Sequence, residues 1–153
     1  MSDNFIRFIP ADPRFVPTKQ AQKAATALLR AAAPRADDIS SESDVQVQFR
    51  DCGGNFERIL CPGCGNEIEV DVWQEWMDRD YSTETGFRLG PVTTPCCRHR
   101  TTLNELKYEF PQGFSRYVLT AMNAGLGGEV PASLLAKVAR ALGCEVRIVY
   151  QHL

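Results

Sequence analysis

The chain has 153 residues, of which 44 % are hydrophobic and 24 % are charged, and its formal net charge is −2. These values are typical of a soluble globular protein of one domain and exclude the disordered and fibrous classes. No apolar run reaches the roughly 18 residues that a membrane span requires, and the N-terminus lacks the pattern of a signal peptide. We therefore expect one cytoplasmic domain over residues 1–153, without a membrane partner, whose six cysteines are reduced thiols.

The charge is unevenly distributed along the chain. Residues 36–85 hold 13 acidic and three basic side chains, a formal charge of −10, whereas residues 1–35 and 86–153 carry +4 each. A surface of negative charge repels phosphate and attracts basic partners. The acidic segment is therefore either a solvated face or a surface for a basic protein.

The N-terminal third predicts a strand, a helix and a second strand. The segment NFIRFIP is typical of a short strand and ends at Pro10. Thr18 is a suitable N-cap for a helix, because alanine and leucine recur after it at helical spacing until Pro34. After a polar loop over RADDISSES, the segment DVQVQFR alternates apolar and polar residues, which predicts a half-buried strand.

Two cysteine pairs lie in the middle of the chain. NFERIL predicts a strand leading into CPGCG at the tip of a hairpin, and Ile68, Val70 and Val72 alternate with acidic residues in the predicted return strand. WQEWMDRDY then predicts a short helix. The second pair lies in TPCC, and in the following RTTLNELKYEF the residues TLNEL fit a helical turn as well as a strand.

The C-terminal third repeats the order strand, helix and strand. Residues 114–123 fit a strand or a helix, and their Val and Tyr content favours the strand. Pro131 suits the first turn of a helix that ends at Gly143, and an alternating final strand follows. The whole pattern indicates an α+β fold, a ferredoxin-like sandwich (βα-β…β-αβ) with a central zinc-ribbon-like insertion over residues 55–110.

The cysteine spacing predicts a zinc site. Cys61 and Cys64 flank a Pro-Gly turn, and such a turn directs both thiolates to one side. Cys96 supplies a third ligand, and the fourth is either Cys97 or His99. Because a tetrahedral site with four protein ligands leaves no open position for water, we expect a structural Zn²⁺.

Catalytic motifs are missing from the sequence. It contains neither the deaminase nor the HExxH zinc motif, and it has no nucleophile elbow and no glycine-rich phosphate loop. We therefore expect that the protein is not an enzyme.

The segments FIRFIPADPRFVP, CPGCG, TPCC and LNELKYEFPQGF, in this order, resemble a family of small, mostly uncharacterised bacterial cytosolic proteins. The resemblance covers nearly the whole chain. The family is expected to have glycine directly after the adjacent cysteines, where this chain has Arg98. The resemblance implies that Cys97 rather than His99 is the fourth ligand and that no enzymatic activity is present. It also implies a similarity in size and acidity to the immunity proteins that neutralise bacterial toxins.

The segment after the first cysteine pair is a candidate binding surface. Aromatic side chains surrounded by carboxylates are typical of interfaces, and the candidates are Glu69, Asp71, Trp73, Glu75, Trp76, Asp78 and Asp80. Both tryptophans fit a place in the hydrophobic core at least as well. The leading hypothesis is a non-enzymatic zinc-containing protein-binding module, in its specific form an immunity protein that binds a basic toxin.

Nucleic-acid binding by a zinc-ribbon regulator is the alternative hypothesis. Arg88, Arg98, Arg100 and Lys107 surround the second cysteine pair, and a few cations suffice for phosphate contacts. The acidic central segment argues against it.

Overall fold

The structure, a computed structural model, describes residues 2–153 and has a mixed α+β architecture. Its helices are α1 (Lys19–Ala32), α2 (Val70–Asp80) and α3 (Ala132–Leu142), and a 3₁₀ turn covers Leu103–Glu105. The strands are β1 (Asn4–Pro10), β2 (Asp38–Arg50), β3 (Arg58–Leu60), β4 (Glu67–Ile68), β5 (Tyr81–Ser82), β6 (Gly86–Phe87), β7 (Val92–Thr93), β8 (Arg100–Thr101), β9 (Lys107–Glu109), β10 (Gly113–Met122) and β11 (Val146–His152).

The largest sheet has six strands in the order β11-β1-β10-β2-β6-β5. Its neighbouring strands are antiparallel, except that β2 and β6 run parallel and pair at Val47 and Gly86. Two small antiparallel sheets, β4-β3-β9 and β7-β8, lie in the middle of the chain. The fold is therefore organised around one mixed sheet and two hairpin-based sheets.

The first hydrophobic core is built from the two ends of the chain. Apolar side chains of β1, β10 and β11 pack against α1 and α3, and the buried members include Ile6, Phe8, Ala25, Leu29, Tyr117, Leu119, Ala121, Leu134, Val138, Leu142 and Val146. The hydroxyl of Thr18 accepts the N–H of Ala21 at 3.1 Å, which confirms the predicted N-cap of α1. Gly143 ends α3 in the left-handed conformation, with φ of 79°, as its position predicted.

Residues 114–123 belong almost entirely to β10, which confirms the prediction of a strand there. β2, in contrast, begins earlier than predicted. The serine-rich and acidic residues that suggest a loop form a regular ladder with β10, from Asp38 opposite Met122 to Ser43 opposite Tyr117. Such polar side chains are compatible with a strand because this part of β2 lies at the exposed edge of the sheet.

The predicted return strand after the first cysteine pair is wrong beyond Ile68. β4 ends there, and α2 begins at Val70, so the alternation of valines with acidic residues does not continue as a strand. The helix is favoured because it places Trp73, Trp76 and Met77 on one buried face. Val70 is 50 % exposed at the first turn.

The central segment, residues 51–112, connects the end of β2 to the start of β10, and its strands β5 and β6 join the large sheet. Arg50 and Gly113 are paired residues of β2 and β10, so the segment starts and ends side by side. A second hydrophobic core joins this segment to Val47 of β2 and Phe114 of β10, and its members from the segment are Ile59, Cys61, Ile68, Trp73, Trp76, Met77, Leu103, Leu106 and Tyr108. Among the described residues, no helix has both the length and the apolar character needed to cross a membrane.

Candidate metal centre

Two hairpin loops of equal length form the centre. The first loop, residues 61–66, connects β3 to β4, and the second loop, residues 94–99, connects β7 to β8. In the first, the N–H of Cys61 donates to the carbonyl of Asn66 at 2.8 Å, and the N–H of Gly65 donates to that of Cys61 at 2.9 Å.

The second loop repeats these hydrogen bonds. The N–H of Thr94 donates to the carbonyl of His99, and the N–H of Arg98 donates to that of Thr94, both at 2.9 Å. Gly65 and Arg98 also share the left-handed conformation, with φ of 79° and 57°. Arg98 therefore occupies a position that favours glycine, because a side chain is strained there.

Aligning the two loops on their hydrogen bonds pairs CPGCGN with TPCCRH. Cys64 then matches Cys97, but Cys61 matches Thr94. The fourth cysteine, Cys96, stands instead at the position of Gly63. The second loop is thus a copy of the first in which one ligand is displaced by two residues.

The four sulfur atoms of Cys61, Cys64, Cys96 and Cys97 lie within 4.8 Å of one another. The separation is 3.6 Å between Cys61 and Cys97 and 3.3 Å between Cys64 and Cys96. A tetrahedron of sulfurs around a metal at about 2.3 Å has edges of about 3.8 Å. The geometry therefore fits one tetrahedral ion with four thiolate ligands.

His99, the other candidate for the fourth ligand, is outside this group of ligand atoms. Its side chain lies over the first loop, where a Cβ added to Gly63 would be 2.8 Å from both Cβ and Cγ of His99. The same Cβ would be 3.1 Å from the sulfur of Cys97. Gly63 is therefore required by the close approach of the two loops, and the set that comes together contains Cys97.

Without a metal, the pKa values of Cys61 and Cys64 are shifted in opposite directions. Burial raises the pKa of Cys61, but hydrogen bonds from the Thr94 hydroxyl and from nearby backbone N–H groups outweigh it and lower this pKa to about 6. The N–H of Asn66 lowers the pKa of Cys64, but the neighbouring thiol of Cys96, followed by partial desolvation and the thiols of Cys97 and Cys61, raises it to about 12. Four thiolates repel one another strongly at these distances, so full ionisation requires a cation such as Zn²⁺.

Thr94 supports two of the thiolates. Its side chain is fully buried, and its oxygen lies 3.4 Å from the sulfur of Cys61 and 3.6 Å from that of Cys97. The same oxygen accepts the N–H of His99 at 3.0 Å, which leaves the hydroxyl proton for a thiolate. The sequence analysis did not identify Thr94. Both loops have a proline two residues before their last cysteine, and matching the loops on this proline would have placed Thr94 opposite Cys61.

Replacing Thr94 by valine is expected to weaken zinc binding by about 10-fold to 100-fold, the usual effect of removing a hydrogen bond to a metal ligand. Valine keeps the shape of the side chain and removes only the hydroxyl. Thr94→Ser keeps the hydroxyl and should bind zinc nearly as tightly as the original chain. Competition with a chromophoric chelator measures both affinities, and an unchanged affinity in Thr94→Val would contradict this role.

The candidate partner surface loses its two aromatic members. Trp73 and Trp76 are only 8 % and 7 % exposed, and both belong to the core of the central segment. The indole N–H of Trp73 donates to the hydroxyl of Tyr108 at 3.1 Å inside that core. The structure therefore places both tryptophans in the core, the alternative that the sequence left open, where they form the apolar face of α2.

Asp80 has a structural role as well. Its two carboxylate oxygens accept the N–H groups of Leu89 and Gly90 at 2.8 and 2.9 Å, which fixes the chain after β6 to the end of α2. The other predicted acidic residues of the surface are exposed, namely Glu69, Asp71, Glu75 and Asp78.

Among the predicted basic residues near the second cysteine pair, one also has a structural role and the others are exposed. Arg88 donates to the carbonyls of Arg79 and Asp80, so its side chain holds the end of α2. Arg98 and Arg100 are exposed at the second loop, and Lys107 is exposed in β9, where it pairs with Leu60 before the first loop.

No family model, no curated protein and no solved structure matches this chain. The resemblance to the bacterial family, with Cys97 as its implied ligand, stays a prediction. The function has to be inferred from the residues of the centre and its surroundings.

Proposed function

We propose that the protein is a non-enzymatic zinc protein in which Cys61, Cys64, Cys96 and Cys97 hold one structural Zn²⁺. The observation that carries this proposal is the convergence of four cysteine sulfurs within 4.8 Å from two matching hairpin loops. Four thiolates favour zinc or iron, and a closed set of four leaves no position for a substrate.

Metal analysis of the purified protein tests this proposal. We expect one zinc per chain, released by a strong chelator together with a loss of structure in the central segment. Iron would be recognised by elemental analysis and by its visible absorption. Protein that contains no metal, binds none on titration and keeps its melting temperature with chelator present would contradict the proposal.

We further propose that the protein binds a basic protein partner through the acidic surface beside the centre. This surface consists of the exposed carboxylates of β4, of α2 and of the N-cap residue between them, which are Glu67, Glu69, Asp71, Glu75 and Asp78. Val70, half exposed among them, offers an apolar contact. Charge of one sign on a rigid helix favours fast association with a partner of the opposite sign. An immunity protein that neutralises a basic toxin is the specific form of this proposal.

Reversing two of these charges, in Glu75→Lys/Asp78→Lys, is expected to slow association with the partner by at least about tenfold and to reduce its dependence on salt. The partner is first isolated by co-purification from the native cells, and its association rate is then measured at several salt concentrations. Glu129→Lys/Glu145→Lys is the matched control, since both residues are exposed and lie outside this surface. Equal slowing in both double variants would show that only the net charge matters.

Nucleic-acid binding is the second candidate function, favoured by one observation. Arg98 and Arg100, exposed around the second loop, take part in none of the ion pairs found within residues 2–153. They are therefore free to contact phosphate. A mobility-shift assay at low and high salt tests this candidate, and the absence of salt-dependent binding to DNA and RNA would exclude it.

The finer description of the fold is also a proposal. The antiparallel strands β11-β1-β10-β2, with α1 and α3 in the intervening connections, support a ferredoxin-like sandwich within a single domain. The paired cysteine hairpins support a zinc-ribbon-like insertion between β2 and β10. A difference from a simple insertion is that β5 and β6 extend the large sheet.

A further inference from the structure

We propose that peroxides oxidise the metal centre by joining Cys96 to Cys64 in a disulfide. This inference rests on the proposed zinc site. It follows from the displacement of one ligand in the second loop, which places a third thiolate at the surface.

The four thiolates differ in their protection from solvent. Cys61 is fully buried, and its sulfur accepts the N–H of Gly63 at 3.3 Å and lies beside the Thr94 hydroxyl. The matching buried position of the second loop holds Thr94 itself, so its ligand is Cys96, which is exposed. The displacement therefore exchanges a shielded ligand for an accessible one.

Hydrogen bonding separates Cys64 and Cys96 from the other two cysteines. The sulfurs of Cys61 and Cys97 both lie near the Thr94 hydroxyl, and that of Cys61 also accepts the N–H of Gly63. Within residues 2–153, the sulfurs of Cys64 and Cys96 form a hydrogen bond only with each other. Since hydrogen bonds to a thiolate withdraw charge from it, Cys64 and Cys96 keep more nucleophilic sulfurs than Cys61 and Cys97.

Cys64 is the natural partner for oxidised Cys96. Their sulfurs are 3.3 Å apart and both residues are exposed, whereas Cys61 is buried. The thiolate of Cys96 attacks one oxygen of the peroxide, the O–O bond breaks, and the other oxygen leaves and takes up a proton. The resulting sulfenic acid of Cys96 is then attacked by the thiolate of Cys64, which forms the S–S bond and releases hydroxide that is protonated to water.

The metal loses two of its four ligands in this step. The peroxide takes two electrons from the two sulfurs, and the zinc ion keeps its charge of +2 throughout. Because Cys61 and Cys97 alone hold zinc weakly, the ion passes to any competing chelator. Reduction of the disulfide by a thiol restores both ligands.

The test treats zinc-loaded protein with hydrogen peroxide while a chromophoric chelator reports free zinc. We expect release of one zinc per chain, a mass decrease of about 2 Da and a crosslinked peptide that contains Cys64 and Cys96. Addition of a reductant and zinc should restore the loaded protein. Cys144→Ser is the control and should release zinc at the rate of the original chain, because Cys144 lies outside the cluster.

A second variant tests whether the shift of one ligand from position 94 to position 96 makes the centre sensitive to peroxide. Thr94→Cys/Cys96→Gly gives the second loop the cysteine spacing of the first, and once loaded with zinc it should release the ion to peroxide at least about tenfold more slowly, even though it lacks the Thr94 hydroxyl. A rate equal to that of the original chain would overturn the inference. If this variant does not bind zinc, the crosslink found in the original chain tests the inference instead. A disulfide between any other pair of cysteines would overturn it. Zinc-loaded protein that resists peroxide would overturn it as well. Protein that never holds zinc would instead contradict the proposed function.

Discussion

Replacing Cys64 by serine is expected to abolish tight zinc binding and to lower the free energy of unfolding by about 4 kcal/mol, the stabilisation that a ligand gives at 1,000 times its Kd. This result is informative because Cys64 is exposed. Replacing an exposed cysteine that binds nothing would change the free energy of unfolding by no more than about 0.5 kcal/mol. A large loss must therefore come from the metal, whose binding energy is part of the folding energy.

Denaturant unfolding with and without a chelator measures this effect. The original chain should lose its extra stability when the chelator is present, and Cys64→Ser should not respond. Cys144→Ser, at a half-buried cysteine outside the cluster, is the matched control and should keep the response. If Cys64→Ser unfolds at the same denaturant concentration as the original chain, the centre contributes nothing to stability and the structural zinc proposal fails.

Replacing Trp73 by alanine is expected to lower the free energy of unfolding by about 3–5 kcal/mol, the range for a large aromatic residue removed from a core. The ring packs edge-on against Phe49 and Tyr108, at centroid distances of 5.9 and 6.2 Å, and stacks on Phe56 at 6.0 Å. Its N–H also donates to the hydroxyl of Tyr108, which in turn donates to the carbonyl of Leu103 at 2.6 Å. The variant loses both the packing and a buried hydrogen bond.

Two controls separate this role from binding to a partner. Trp73→Phe keeps most of the apolar volume and should cost clearly less than the alanine variant. Glu75→Ala, on the exposed side of the same helix, should change stability by less than about 0.5 kcal/mol. A Trp73→Ala variant that is as stable as the original chain but fails to bind the partner would show that the side chain works at the surface after all.

The elements at the two ends of the chain could be predicted because local signals agree there. Thr18 caps a helix whose apolar residues face one side, and Gly143 ends another in the left-handed conformation that glycine adopts without strain. The start of β2 could not be predicted in this way. Its residues are polar, and they form a strand only because β10 pairs with them from a distant part of the chain.

The centre could be predicted in part. Cysteine spacing identified Cys61, Cys64 and Cys96, but the choice between Cys97 and His99 depends on which side chain the second hairpin turns inward. That orientation is fixed by the hydrogen bonds of Thr94 with Arg98 and His99, which no spacing rule contains. The tryptophans illustrate the same limit, because an amphipathic helix predicts one buried face but not the core that covers it.

Part of the acidic segment forms an exposed edge of the large sheet, along β2. Residues 38–43 pair with β10 on one side, and across residues 2–153 no strand pairs with them on the other. Asp38, Glu42 and Asp44 are exposed there, next to Val45, which is 89 % exposed. Carboxylates on a free edge discourage a second copy from extending the sheet, since the like charges of the two edges would be brought together. The negative charge of the segment is thus divided between protection against aggregation along β2 and the surface beside the metal centre.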